Sequence, residues 1–81
     1  MPLSKEQEIY LILLGARVKK LRVQRNLTLK NLAHGIGKDP QSIHRLEKGR
    51  INPSFLYLLE ISKGLDIDVS KLVDISILSK E

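Results

Sequence analysis

At 81 residues the chain has length for one domain, which must pack a compact, largely helical core to be stable alone, and an apolar content of 42% with 28% charge argues against general disorder. It has no cysteine, so no disulfide or thiolate zinc site supplements that core, and with only Tyr10, Phe55 and Tyr57 aromatic it offers no stacking platform for single-stranded nucleic acid. No apolar run approaches the roughly 20 residues needed to cross a bilayer and no signal peptide precedes the domain, so the expected compartment is the cytoplasm, without a membrane partner.

Residues 4 to 25 read as a first helix. Ser4 and Gln7 form a capping box, and Glu6 and Glu8 suit the positive end of the helix dipole. Leu11, Leu14, Val18 and Leu21 give the core stripe; Ile9, Ile12, Leu13 and Ala16 form a second stripe beside it, more than one small domain usually buries. Asn26 suits a left-handed C-terminal position, and Leu27 leads into Thr28, an N-cap for the amides of Lys30 or Asn31. Leu29, Leu32, Ala33 and Ile36 then repeat at helical spacing, predicting a short second helix that ends near Gly35.

Gly37 supplies a residue without Cβ, either where the backbone bends or where another helix approaches closely. Asp39 is a second N-cap with Pro40 at the first helical position, and the third helix runs to about Lys48, with Gly49 as a left-handed stop. A helix, a short glycine-containing turn and a second helix form a helix-turn-helix. On a wheel of the third helix, Ile43 and Leu46 mark the apolar centre, while Gln41, Arg45 and Lys48 fall about 130 to 190° away with His44 on their flank. Glu47 lies roughly 70° from the apolar centre by the same geometry, beside the core. The outward row is therefore made of long donors without a carboxylate, as a surface approaching phosphates requires.

After the loop Arg50-Ile51-Asn52-Pro53-Ser54, Asn52 is biased away from helix by the proline and Ser54 caps a fourth helix. Its predicted apolar face is Phe55, Leu58, Leu59, Ile61 and Leu65, with an end near Gly64. Asp68 caps a short fifth helix in which Val69, Leu72 and Val73 close the bundle. The tail from Ile75 through Ile77 and Leu78 is apolar for a terminus and reads equally as helix extension or extended segment. Net charge is +5, and it is concentrated: Arg17 to Arg50 holds ten Lys or Arg against Asp39 and Glu47. Such a surface attracts a polyanion at long range in a salt-sensitive way.

The strings LGARVKKLR (14 to 22), LTLKNLAHGIGKDPQSIHRLEKG (27 to 49), NPS (52 to 54) and LLEISKGLDIDVSKLV (58 to 73) resemble the Cro/repressor-type helix-turn-helix proteins, the XRE family. Ala33, Gly37 and Ile43 occupy the three positions that the motif constrains most. The resemblance implies an all-α, five-helix bundle of the lambda-repressor-like type with the motif at helices 2 and 3. It divides a single domain, 1-81, into a family-like core at about 14-73, an N-terminal helix extension at 4-13 and a C-terminal tail at 74-81. In such proteins the second motif helix lies in the major groove of double-stranded DNA, and two copies read a palindromic site.

Carried over by position, the resemblance makes Gln41 and Arg45 base-reading residues, with His44, Lys48 and Ser42 in support. It makes Arg17, Lys19, Lys20, Thr28, Lys38, Arg50 and Asn52 backbone-contacting, and pairs Arg22 with Glu47 to orient the recognition helix. Leu29 departs from the Gln common in relatives, which weakens a phosphate anchor, and Pro40 replaces a polar base-reading residue with one limited to apolar contact. Ile9, Ile12, Leu13, Ile75, Ile77 and Leu78 either cover one another within one chain or form a dimer interface. The dimer is favoured because one domain of this size contacts too few base pairs for tight specific binding.

His34 reads as structural or solvated, and neither histidine has a metal-ligand partner at useful spacing, so no metal or other cofactor is expected. No nucleophile motif, phosphate loop or paired carboxylates suggest an enzyme. The implied function is a sequence-specific transcriptional regulator acting as a homodimer. The alternative is an antitoxin whose terminal segments neutralise a toxin partner while the helix pair binds its own promoter.

Overall fold

The computed structural model of the chain describes residues 2–75. Five helices follow in order, α1 (Lys5–Gln24), α2 (Leu29–Gly35), α3 (Pro40–Glu47), α4 (Phe55–Gly64) and α5 (Val69–Leu72), with no strand among the described residues. The all-α, five-helix expectation is met.

Each helix begins on a side-chain cap read from the sequence. Ser4 Oγ accepts from the Gln7 amide at 3.1 Å while the Gln7 side chain accepts from the Ser4 amide at 2.9 Å, completing a capping box. Thr28 and Asn31 form a second one, at 3.0 and 3.3 Å. Asp39, Ser54 and Asp68 cap α3, α4 and α5 by accepting from the amides of Gln41, Tyr57 and Ser70. Asn26 has φ 58° at the end of α1, as its type allows. Gly37 has φ 68°, and a Cβ built there would meet nothing within 4 Å, so its role is the bend and not a close approach.

The core is built from the helices' inward stripes. Leu14, Val18 and Leu21 of α1 meet Leu32 and Ala33 of α2, Ile43 and Leu46 of α3, Leu58 and Ile61 of α4, then Leu65 and Leu72. Burying one such aliphatic side chain completely is worth about 1.5 to 3 kcal/mol. Leu11 is only half-buried, and Leu59 likewise.

Two apolar expectations fail. Phe55 is 63% exposed, because it sits about 85° around the α4 wheel from the Leu58, Ile61 and Leu65 stripe. Val73 follows the end of α5 and remains 39% exposed. The second stripe of α1 stays open, with Ile9, Ile12 and Ala16 exposed and Leu13 half-buried. Ile75 packs against the core, whereas Ile77 and Leu78 lie outside the described residues.

Gly15 sets how α1 meets α3. A Cβ at this position would lie 2.5 Å from the Glu47 carbonyl oxygen and would also collide with the carbonyl of Leu46. Only a residue without Cβ lets the last turn of α3 lie on α1 this closely. No helix among the described residues is long and apolar enough to cross a membrane.

Candidate nucleic-acid interface

The third helix divides as its wheel predicts. Ile43, Leu46 and Glu47 are buried, while Gln41, His44, Arg45 and Lys48 are exposed. Ser42 is half-buried at the side of α3, and its Oγ lies 2.5 Å from the Tyr57 hydroxyl of α4.

Glu47 is held by Arg22. The guanidinium donates through Nε to Oε2 at 2.6 Å and through Nη2 to Oε1 at 3.1 Å, a bidentate fork, and Nη1 donates to the Leu27 carbonyl at 2.7 Å. One buried cation thus ties α1, the α1–α2 loop and the end of α3 together. The desolvation of both charges offsets most of their attraction, so the fork specifies orientation more than it adds stability. The inward turn of Glu47 also removes the only carboxylate of α3 from its outward face.

A cleft of about 370 Å³ between α1 and α3 is lined by Ala16, Lys19, Arg22, Leu29, His44, Glu47 and Lys48. Lys19, Lys48 and His44 supply exposed donors on its walls. Beside it, Leu29, Pro40, Gln41 and His44 line a shallower depression of about 270 Å³. The two sequence departures, Leu29 and Pro40, therefore form an apolar floor under Gln41 and His44. Lys20 is exposed on α1, Arg50 and Asn52 are exposed in the α3–α4 loop, and the Thr28 hydroxyl is engaged in its cap.

Two residues expected at phosphates also have partners within the chain. Arg17 donates through Nε and Nη2 to the Lys71 carbonyl, at 3.1 and 2.9 Å, closing the negative end of α5. Lys38 Nζ pairs with Glu60 Oε1 at 2.9 Å and sits 5.2 Å from the centroid of the Tyr57 ring. The hydrogen bond to Glu60, reinforced by its charge, raises the Lys38 pKa above the usual ammonium value. Neither partner was legible in the sequence, because each comes from a distant segment. Gly15 did leave a signal: a glycine inside an otherwise periodic helix marks a close approach or a weakened turn. His34 is exposed, and no group of His, Asp or Glu among the described residues could hold a metal ion.

Two capped helices around Gly37, with an acid-free row of donors facing outward, define a helix-turn-helix DNA-binding class. Residues 18–72 match the helix-turn-helix family, and the chain belongs to it, as a DNA-binding transcription regulator of the Cro/C1 (XRE) type with a lambda-repressor-like fold. No curated protein compared with the chain matches it. The restriction-modification controller protein C.AhdI from Aeromonas hydrophila is similar, at 31% identity and a TM-score of 0.75 over 76% of this chain and 94% of that one. The clp gene regulator ClgR from C. glutamicum is 26% identical with a TM-score of 0.76, over 90% of this chain and 87% of that one. The hypothetical transcription factor NHTF from Neisseria shares the fold, at 20% identity and a TM-score of 0.74, over 90% of this chain and 83% of that one.

Proposed function

We propose that the chain is a sequence-specific regulator that places α3 in the major groove and acts as a homodimer on a palindromic operator. The observation that carries this reading is the outward face of α3, where Gln41, Arg45 and Lys48 stand exposed while Glu47 is turned into the fork with Arg22. Arg45 is suited to the O6 and N7 acceptors of guanine and Gln41 to the N6 and N7 of adenine. His44 and Lys48 stand beside them, and Pro40 with Leu29 offers an apolar floor for a thymine methyl. Lys19, Lys20, Arg50, Asn52 and the Thr28 helix start supply backbone contacts, joined by Arg17 and Lys38, which also hold partners within the chain.

The second copy docks on the open α1 stripe of Ile9, Ile12 and Leu13, with Ile75, Ile77 and Leu78 contributing from the C-terminal end. The two recognition helices then read half-sites about one helical turn apart. The 31% identity to a restriction-modification controller favours a controller-type role.

Selection of binding sites from random duplexes tests the reading. An enriched inverted repeat with half-sites near one turn is expected; enrichment of no sequence would reject base reading, and enrichment of a lone half-site would reject the dimer. Sedimentation at micromolar concentration, with and without the selected duplex, checks assembly, and a strictly monomeric species in both would sink the homodimer.

A further inference from the structure

The C-terminal end of α3 is anchored by the Arg22–Glu47 fork and its inner face by the buried Ile43 and Leu46, but apolar packing is non-directional and leaves the fine tilt of the first turn to polar contacts. From Glu47 to Gln41 is about 9 Å at the α-helical rise of 1.5 Å per residue, so a tilt of roughly 6° about Glu47 displaces Gln41 by about 1 Å. A hydrogen bond tolerates only about 0.5 Å between 2.7 and 3.2 Å, so such a tilt breaks a base contact. Reading by Gln41 therefore needs a directional contact near the start of α3.

The structure supplies one. Ser42, next in the chain to Gln41, has its hydroxyl 2.5 Å from that of Tyr57, the only α3–α4 hydrogen bond among the described residues. Tyr57 is itself placed by packing of its half-buried ring against the core, with Lys38 Nζ 5.2 Å from the ring centroid. Lys38 is held there by Glu60, one turn along α4 from Tyr57, at 2.9 Å. The four side chains link the turn before α3, its first turn and the exposed side of α4.

We propose that Tyr57 is a positioning residue for sequence reading. Acting through Ser42, its hydroxyl fixes the tilt of the first turn of α3 and so the aim of Gln41, while Lys38 and Glu60 hold the ring from outside. The inference rests on the reading of α3 as the base-contacting helix.

Affinity for the selected duplex and for a random duplex of equal length, measured by fluorescence anisotropy at one salt concentration, tests it. Tyr57→Phe keeps the ring and its cation and removes only the hydroxyl; Ser42→Ala removes the other partner. Each is expected to weaken binding to the selected duplex by about threefold to tenfold, the worth of one hydrogen bond, with random-duplex affinity unchanged. The double variant should lose no more than the weaker single variant, since both changes break the same bond. Ser42→Thr, which retains the hydroxyl, should recover most of what Ser42→Ala loses on the selected duplex.

Unchanged selected-duplex affinity in Tyr57→Phe and Ser42→Ala overturns the proposal, as do single losses that multiply in the double variant or fall equally on both duplexes. Such results with a wild type that still discriminates leave the base-reading assignment standing. A wild type that binds both duplexes alike overturns that assignment and this role with it.

Discussion

The two ends of the recognition helix are held by opposite physics. At the C-terminal end of α3 a buried, bidentate ion pair and a backbone-to-backbone approach at Gly15 leave almost no room for adjustment. At the N-terminal end the Asp39 cap, a half-buried hydroxyl pair and an exposed Lys38–Glu60 bridge do the holding, all of them neutral or in contact with solvent. A buried charge is costly to strand, whereas a solvated contact is replaced by water at small cost. One end is therefore a rigid foundation for the orientation of the helix and the other an adjustable setting of its aim.

The largest effect should come from breaking the foundation. Glu47→Ala strands the Arg22 guanidinium in a buried site and is expected to cost about 3 to 5 kcal/mol in urea unfolding. Replacing both charges together, Arg22→Met with Glu47→Leu, should fold with stability close to the wild type while losing discrimination between selected and random duplexes. A double variant as unstable as Glu47→Ala would show that the pair stabilises outright. Gly15→Ala should follow, at about 1 to 3 kcal/mol by the same measurement, because the groups its methyl meets are backbone carbonyls that cannot swing aside.

Effects at the other end should be smaller. Asp39→Ala removes the α3 cap and is expected to lower stability by about 1 kcal/mol in thermal unfolding. The Lys38–Glu60 bridge should matter least. Because Glu60 raises the Lys38 pKa in the folded state, its contribution is complete below the ordinary lysine pKa and disappears as pH rises through the higher folded value. Lys38→Met should therefore differ from the wild type slightly at neutral pH and converge with it on the alkaline side; a gap that widens with pH would contradict the assignment.

What was legible in the sequence follows the same division between near and far. All five caps were readable because a cap joins residues two or three positions apart, and Asn26 and Gly49 announced the helix ends by their tolerance of positive φ. The wheel of α3 turned Glu47 inward without knowledge of its partner; Arg22 entered through the family resemblance. Arg17 and Lys38 were expected at phosphates because a basic residue in a basic segment carries no sign of an internal partner. The Arg17 acceptor lies 54 residues away, and the Ser42–Tyr57 pair spans 15 residues and two helices, so tertiary packing alone decided both. Phe55 departs from expectation because it stands at the first helical position, while the buried stripe of α4 begins one turn later at Leu58.

The central claim, that the exposed row of α3 reads bases, is tested most directly by Arg45→Ala. Its affinity for the selected duplex should fall by about 1 to 3 kcal/mol, with relaxed preference at one base position per half-site and little change on random duplex. Arg50→Ala serves as the control, lowering affinity for both duplexes and reducing the salt slope by about 1. Equal losses on selected and random duplex for Arg45→Ala would contradict the claim.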